Sequence, residues 1–199
     1  MDENALIQAA QSGDLDSFNR LVLAYQDQVY TQAYRMIGES AAAADTTQDA
    51  FISAFHHIRS FRGGSFRAWL LRIVTNACYD ELRRRKRRPT VALEPVDESG
   101  EEVESPRWME DPGDTPEKHI ERVELNKAIQ HCLETLPDDF RSAVILVDVQ
   151  GMDYVEASRA LGKPLGTIKS RLARARLRLQ DCLQGFTELL PVVYRLENR

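Results

Sequence analysis

The segment from Asp153 to Leu179 constrains the fold most strongly, because it encodes a short helix, a tight turn and a second helix in succession. We place the turn at Gly162, Pro164 and Gly166, since glycine accepts unusual backbone dihedral angles and proline lacks an amide donor. After the turn, apolar residues return with a helical period, at Ile168, Leu172, Ala175 and Leu179. This pattern predicts a helix-turn-helix unit in an α-helical fold.

The second helix of this unit is basic on the side away from its apolar residues. From Lys163 to Leu179 there are six basic residues and no acidic residue. A helix that is buried on one side and cationic on the other, after a short turn, fits the major groove of DNA. A solvated basic helix in an ordinary bundle remains the alternative from this segment alone.

The charge of the chain is segregated along its length. The 199 residues carry a formal net charge of −5, which by itself argues against nucleic acid. However, residues Phe61 to Pro89 carry nine basic and two acidic side chains, whereas Glu94 to Glu124 carry twelve acidic and three basic ones. Because local blocks decide what a surface attracts, the basic segment favours nucleic acid despite the acidic average.

Helical periodicity recurs along most of the chain, and glycine and proline are sparse outside the connections. We predict further helices over residues 15–37, 42–58, 67–85, 116–136 and 140–149. Asp138 is the predicted N-cap of the last of these helices. Residues 90–115 are rich in proline and acids and have no period, which predicts a flexible acidic linker. The predicted fold is all-α, with two small helical domains at residues 1–89 and 116–185 and a tail at 186–199 of unassigned role.

Aromatic and basic residues alternate between residues 61 and 88. The aromatic members are Phe61, Phe66, Trp69 and Tyr79, and the basic members are Arg62, Arg67, Arg72 and the run from Arg83 to Arg88. This combination suits a single DNA strand, whose bases stack on rings while cations follow the phosphates. Asn76 and Asp80 lie one helical turn apart, and both can hydrogen-bond an exposed base edge. Core burial of Phe66 and Trp69, and a capping or bridging role for Asn76, remain alternatives.

A polar face is predicted on the helix over residues 42–58, where Asp45, Gln48 and Asp49 fall on the same side by their spacing. This face is either solvated or a surface for a protein partner, and composition alone favours solvation. His56 and His57 do not indicate a metal site, because adjacent residues on a helix point about 100° apart.

Several function classes lack their sequence signals. The chain has no phosphate-binding, hydrolase, zinc-protease or dinucleotide-binding motif, so we expect no catalytic residue and no cofactor. Cys78, Cys132 and Cys182 lie about fifty residues apart, which gives no metal-ligand spacing, and their odd count and low density fit a reducing cytosol. The acidic, polar N-terminal segment argues against a secretory signal, and no apolar run approaches the ~20 residues that span a membrane. We therefore expect a cytoplasmic protein without intrinsic membrane insertion.

Three segments in this order resemble the extracytoplasmic-function (ECF) sigma factors of bacterial RNA polymerase. They are DTTQDAFISAFHHIRSFRG from Asp45, SFRAWLLRIVTNACYDELRRRKRR from Ser65, and LPDDFRSAVILVDVQGMDYVEASRALGKPLGTIKSRLARARLRL from Leu136. The resemblance covers residues 13–183. It implies two helical domains, σ2 and σ4, joined by a flexible linker, in a subunit that binds core polymerase and directs initiation at promoters.

The resemblance also implies roles for individual residues. The family's D-x-x-Q-E/D-x-F pattern implies that the β′ clamp helices of the polymerase bind Asp45, Gln48 and Asp49, with Phe51 in the core. Recognition and melting of the −10 element is implied for Phe61, Arg62, Gly63, Gly64, Ser65, Trp69, Asn76, Tyr79, Asp80 and Arg83. Recognition of the −35 element in the major groove is implied for Gly166, Thr167, Lys169, Ser170, Arg171, Arg174 and Arg176.

The partners implied by the resemblance are core RNA polymerase, through the β′ clamp helices and the β flap, promoter DNA, and an anti-sigma factor. The chain departs from the family pattern at Thr46, where an aliphatic residue is common, and at Ala157 and Ser158, which replace an isoleucine–alanine pair. Two other classes stay open beside the sigma factor. One is a stand-alone helix-turn-helix repressor, and the other is an RNA-binding adaptor that uses the first domain.

Overall fold

The computed structural model describes residues 2–87 and 116–190. Within these ranges the chain forms helices and short connections without a strand, which confirms the all-α prediction. In chain order the α-helices are α1 (Glu3–Gln11), α2 (Leu15–Ile37), α3 (Ser40–His57), α4 (Phe66–Arg87), α5 (Pro116–Glu134), α6 (Asp138–Val144), α7 (Tyr154–Leu161) and α8 (Leu165–Leu183). The predicted linker over residues 90–115 and the tail beyond residue 190 lie outside the described residues.

Helices α2, α3 and α4 pack around an apolar core to form most of the N-terminal half, residues 2–87. Val29 and Ala33 of α2 are fully buried in it, and so is Ala50 of α3. Helix α2 ends at Gly38, whose φ of 86° lies in the left-handed region that favours glycine. The predicted helix over residues 15–37 is therefore confirmed.

Helix α1 is an element that the sequence pattern did not predict. The Asp2 side chain accepts hydrogen bonds from backbone amides of the first turn and so caps the helix. Leu6, on the inner face of the helix, is buried. At its end, the Gln11 side chain donates to the carbonyl oxygens of Ile58 and Phe61, at 3.0 and 2.8 Å. Helix α1 therefore holds the connection between α3 and α4 in place.

Helices α7 and α8 form the predicted helix-turn-helix unit. Asp153 and Glu156 close the start of α7 in a reciprocal capping box, and Gly162 ends it with a φ of 61°. Pro164 precedes α8, but Gly166 lies inside the first turn of α8 rather than in the inter-helical turn where the sequence pattern placed it. The predicted inner face of α8 is confirmed by the burial of Ile168, Leu172 and Ala175.

Helix α6 begins at Asp138, so the prediction of Asp138 as its N-cap is wrong. Pro137 occupies the N-cap position and makes no side-chain capping bond. The carboxylate of Asp138 in the first turn is still favourable, because the N-terminal end of a helix attracts negative charge. The rest of the predicted helix continues as a π-helical turn over Ile145–Val149.

Cys132 of α5 and Cys182 of α8 form a disulfide, with their Cα atoms 5.7 Å apart. The expectation of reduced thiols drawn from the cysteine count is therefore wrong for this pair. In the described part of the chain, Cys78 is the remaining free thiol, and it is buried in α4. The two paired residues are 50 positions apart in sequence, so only the packing of α5 against α8 reveals them as partners.

The N-terminal half contacts the C-terminal half, residues 116–190, directly. Helix α2 touches α5 and α6, and α4 touches α7. Arg35 and Arg141 are buried at this contact, with 5% and 7% of their surfaces exposed. Arg35 Nη2 donates to Asn126 Oδ1 at 2.8 Å, and Arg141 Nη1 donates to the Met36 carbonyl oxygen at 2.6 Å. Buried residues of both halves join in one apolar cluster.

Candidate polymerase and nucleic-acid interfaces

The polar residues of α3 are distributed over two grooves. Asp45 and Asp49 line a cleft of about 560 Å³ between α3 and α4. Gln48 lines a second groove of about 740 Å³ between α3 and α2, whose wall includes the half-buried Phe51. All three polar side chains are exposed, with Asp45 and Asp49 bordering the first groove and Gln48 bordering the second. Their spacing places them within about 100° of one another around α3, so one partner surface can contact all three.

The opposite wall of the 560 Å³ cleft is formed by α4. It carries Trp69, Arg72, Asn76 and Asp80, and of these only Trp69 is partly buried. An amide and a carboxylate one turn apart offer both donors and acceptors, and the indole ring offers a stacking surface. Residues predicted for polymerase binding and for −10 recognition therefore line the same cleft.

The connection between α3 and α4 is an exposed glycine loop. Gly63 and Gly64 have φ values of 94° and 90°, which other residues rarely adopt. No atom outside the immediate neighbours lies within 4 Å of a Cβ built at either position, so backbone conformation rather than crowding favours glycine. Arg62 and Ser65 flank them and are also exposed. The Ser65 hydroxyl accepts a hydrogen bond from the Ala68 amide at 3.1 Å, so Ser65 also caps α4.

Three aromatic rings form a cluster beneath this loop. The ring centroids of Phe61, Phe66 and Trp69 lie 5.4–5.7 Å from one another. Phe66 is a core residue with 2% of its surface exposed, which agrees with the core alternative for this position. Phe61 and Trp69 are half-buried, so each ring keeps part of its surface available.

The basic end of α4 is largely paired with acids. Arg83 bonds Asp80 at 3.0 Å, and Lys86 bonds Asp138 of α6 at 2.6 Å. The remaining ion pairs of this segment are Arg84 with Glu81, Arg85 with Glu81, and Arg85 with Glu39. The positive field at this end is therefore weaker than the run of basic residues indicates, because nearby acids neutralise part of it.

Tyr79 is turned toward the C-terminal half. Its hydroxyl lies 2.7 Å from Ser142 Oγ and donates to Asp139 Oδ1 at 3.3 Å. Burial raises the pKa of this phenol, and the Asp139 carboxylate adds to the increase while the Ser142 contact opposes it. Unlike Asn76 and Asp80, Tyr79 is therefore engaged by another part of the chain.

The outer face of α8 carries the residues predicted for −35 recognition. Gly166, Lys169, Ser170 and Arg174 are exposed, and Thr167 is half-buried. Across residues 2–87 and 116–190, no hydrogen bond or ion pair is found for the Lys169 or Arg174 side chain. These two cations are the freest of the predicted set.

The other two predicted arginines of α8 are paired. Arg171 is half-buried and pairs with Asp139 of α6. Arg176 pairs with Asp148, and the hydrogen bond to that carboxylate raises the pKa of its guanidinium. An acid of the same half therefore competes with DNA for each of these arginines.

The described ranges contain no group of three histidine, cysteine or acidic side chains arranged to hold a metal ion. Among the helices of those ranges, none combines the length and apolar character needed to traverse a bilayer.

Comparison with known proteins identifies two matching families. Residues 21–88 match sigma-70 region 2, and residues 126–179 match sigma-70 region 4. The ECF RNA polymerase sigma factor SigE of Mycolicibacterium smegmatis is 38% identical over 169 residues, which are 85% of this chain and 62% of SigE. This chain therefore spans less than two thirds of that relative.

Other relatives match over nearly their whole length. The ECF RNA polymerase sigma-E factor of Escherichia coli K12 is 33% identical over 185 residues, which are 92% of this chain and 95% of that protein. The sigma factor RpoE of Bartonella quintana, solved in complex with the anti-sigma factor NepR, has a TM-score of 0.63 and 26% identity, over 85% of this chain and 98% of that chain. Both sigma-70 regions are present in the family's order, and the chain belongs to the ECF family of RNA polymerase sigma factors.

Proposed function

We propose that this protein binds core RNA polymerase and directs it to promoters, by recognising the −35 and −10 elements and holding the melted non-template strand. The observation that carries this proposal is the presence, in one chain, of a basic helix α8 and a separate cleft in which Asp49 faces Trp69 and Asn76. A stand-alone repressor needs only the first of these features. Family membership also favours initiation over repression.

Helix α3 is the proposed polymerase contact. Asp45, Gln48 and Asp49 are exposed on this helix, and each offers a side-chain acceptor. The β′ clamp helices of the polymerase would contact this exposed part of α3. The second polymerase contact is proposed between the C-terminal half and the β flap.

The cleft of α4 and its glycine loop are the proposed site for the −10 element. A flipped base would stack against the exposed part of Trp69 or Phe61, while Asn76 and Asp80 hydrogen-bond a base edge. Arg62 would contact the strand's phosphates from the loop. Extruding one base from the stack costs on the order of a few kcal/mol, and these contacts would offset that cost.

Helix α8 is the proposed −35 reader. Lys169 and Arg174 are exposed on its outer face, where phosphates and base edges of a major groove would lie. Arg171 and Arg176 would also contact the DNA, in competition with their acidic partners. None of these roles requires chemistry from the chain, so we propose that it acts by binding alone.

We also propose an anti-sigma partner and a cytoplasmic location. The Bartonella relative was solved with an anti-sigma factor, and a partner that covers α3 and the α4 cleft would block polymerase and DNA together. Membrane attachment, where it occurs, would come through that partner.

Reconstituted transcription tests the proposed function. The protein is added to core RNA polymerase on a library of genomic promoter fragments, and transcripts are sequenced. We expect initiation from a defined subset of fragments that share two spaced elements. Stable DNA binding without any stimulated initiation would favour the repressor, and binding to RNA alone would favour the adaptor.

A further inference from the structure

We propose that Asp148 sets the affinity of helix α8 for DNA, by holding Arg176 in an ion pair that competes with the phosphates of the duplex. This inference rests on the proposed function, because it assigns a further role within the proposed −35 reader. The acid keeps the sequence-independent part of DNA binding weak, so contacts to base edges decide a larger share of where the helix binds.

Arg176 leaves α8 in a different direction from the outward-facing residues. Each residue advances the helix by about 100°, so Arg174 lies about 40° and Arg176 about 120° around the axis from the exposed Ser170. Arg176 also follows the buried Ala175 directly and lies one turn after the buried Leu172. Its side chain therefore starts at the border of the buried face rather than at the centre of the exposed one.

Asp148 meets this side chain with both carboxylate oxygens. It lies in the π-helical turn over Ile145–Val149 that follows α6. Arg176 Nε donates to Asp148 Oδ2 at 3.0 Å, and Arg176 Nη2 donates to Asp148 Oδ1 at 2.6 Å. Arginine binds phosphate with the same two-point geometry. The carboxylate and a phosphate of DNA are therefore alternative partners for the guanidinium group.

The pair is accessible to solvent and hence to DNA. The side chains of Arg176 and Asp148 are 48% and 34% exposed. An exposed ion pair changes an equilibrium constant by about fivefold at most, so a phosphate can displace it. The acid therefore lowers the affinity for DNA without abolishing binding.

Other contacts of α6 engage further cations of α8. Arg171 pairs with Asp139, and the guanidinium carbon of Arg178 lies 5.3 Å from the centre of the Phe140 ring. With Arg176, three of the five basic residues of α8 thus contact α6 or the turn after it. The ring leaves the charge of Arg178 in place, whereas a carboxylate neutralises its partner, so the acids decide how much positive charge the helix offers.

Of the two acids, Asp148 gives the more specific test. Asp139 also accepts a hydrogen bond from the Tyr79 hydroxyl, so its substitution would change a contact between α4 and α6 as well. The hydrogen bonds found for the Asp148 side chain both come from Arg176. Substitution of Asp148 therefore changes the ion pair with little else.

Charge counting gives the size of the expected effect. Each phosphate that a basic residue neutralises releases condensed counterions and changes the slope of log affinity against log salt by about 0.9. A guanidinium group paired with a carboxylate carries no net charge, so it contributes little to this slope. Loss of the Asp148 charge should therefore steepen the slope by about 0.9, and Arg176 should be the source of the change.

The test measures binding of the full chain to a fluorescent duplex of about 30 base pairs without a promoter, by anisotropy at salt concentrations from about 0.05 to 0.2 M. Asp148→Asn removes the charge at nearly constant shape, and Asp148→Ser does so with a smaller side chain. Arg176→Gln and the double variant Asp148→Asn with Arg176→Gln complete a cycle. Circular dichroism establishes that each variant keeps its helices.

The matched control is Asp181→Asn. Asp181 is an exposed acid of the same helix α8, and no hydrogen bond or ion pair is found for its side chain within residues 2–87 and 116–190. Its substitution removes the same charge near the same helix without releasing an arginine. The control therefore measures the effect of the general field of one acid on DNA affinity.

We expect Asp148→Asn and Asp148→Ser to lower the Kd about threefold at about 0.05 M salt and to steepen the salt slope by about 0.9. In the Arg176→Gln background, Asp148→Asn should change neither quantity by more than the control does. An equal gain with and without Arg176 would overturn the proposal, because Asp148 would then act through its field alone. An unchanged or weaker affinity after loss of the Asp148 charge would overturn it too.

The duplex carries no promoter and the mixture contains no polymerase, so the result does not depend on transcription. A steeper slope in Asp148→Asn without stimulated transcription by the wild type would refute the proposed function alone. Stimulated transcription with an unchanged slope in Asp148→Asn would refute the role of Asp148 alone.

Discussion

The hydroxyl of Tyr79 donates a hydrogen bond to Asp139 Oδ1 at 3.3 Å, which links α4 to α6 across 60 residues of sequence. The same carboxylate pairs with Arg171 of α8. One acid of the C-terminal half therefore contacts a residue assigned to the −10 element and another assigned to the −35 element. In this conformation, Lys169 and Arg174 are the cations of α8 most available to DNA.

The contact between Tyr79 and Ser142 should appear as a coupling energy. We expect a double-mutant cycle of Tyr79→Phe and Ser142→Ala to give a coupling of about 1 kcal/mol in urea unfolding, because each substitution removes the same 2.7 Å contact. A parallel cycle of Tyr79→Phe with Ser158→Ala, whose hydroxyl instead donates to the Lys163 carbonyl oxygen, should give none. Equal couplings in the two cycles would contradict the contact.

Arg141 should contribute far more to stability than an exposed arginine. Arg141→Met leaves four carbonyl oxygens without this donor, so we expect the free energy of unfolding to fall by about 3 kcal/mol. Arg174→Met, at an exposed position of α8, should change it by less than about 0.5 kcal/mol. Urea denaturation of the two variants measures the difference, and similar small losses in both would show that the Arg141 bonds are not formed.

The disulfide should stabilise the C-terminal half. Cross-linking two residues 50 positions apart restricts the unfolded chain and is worth about 4 kcal/mol by the loop-entropy relation. We therefore expect a reducing agent to lower the urea midpoint of the wild type. The variant Cys132→Ser with Cys182→Ser should unfold at the lower midpoint with or without reductant. A urea midpoint of the wild type that does not change with reductant would show that the Cys132–Cys182 disulfide is not formed.

The thiols should also differ in reactivity. Burial raises the pKa of Cys78 to about 12, so its thiol stays protonated at pH 9, where an ordinary thiol with a pKa of about 8.5 is mostly ionised. We expect no alkylation by iodoacetamide in the native protein at pH 9, one modified cysteine after unfolding without reductant, and three after reduction. Mass spectrometry counts the adducts. Three adducts without reductant would show that Cys132 and Cys182 are not paired.

Sequence periodicity predicted the helices well where one face is apolar over several turns. Helix α2 and the inner face of α8 are of this kind, because their buried residues recur at helical spacing. Helix α1 was missed, although Asp2 before Leu6, Ile7 and Ala10 carries a capping signal and a short apolar face. The N-cap of α6 was misplaced, because Pro137 rather than Asp138 takes the non-helical position.

Features that depend on tertiary packing could not be predicted from sequence patterns. Cys132 and Cys182 meet only because α5 packs on α8, and Arg35 meets Asn126 only because the two halves are in contact. The groove that each of Asp45, Gln48 and Asp49 borders likewise depends on which helix packs on each side of α3. Spacing along a helix gives the direction of a side chain but not the element it faces.

The proposed division of roles between Asp49 and Arg174 is tested most directly by promoter-dependent transcription with the reconstituted holoenzyme. The affinities of each variant for core polymerase and for an isolated −35 duplex are measured beside it. We expect Asp49→Ala to weaken binding to core polymerase while leaving the affinity for an isolated −35 duplex unchanged. Arg174→Ala should weaken binding to that duplex by about 1–3 kcal/mol while leaving the affinity for core polymerase unchanged. Both substitutions should reduce transcription. Equal losses of duplex affinity in the two variants, or full transcription from both, would contradict the account.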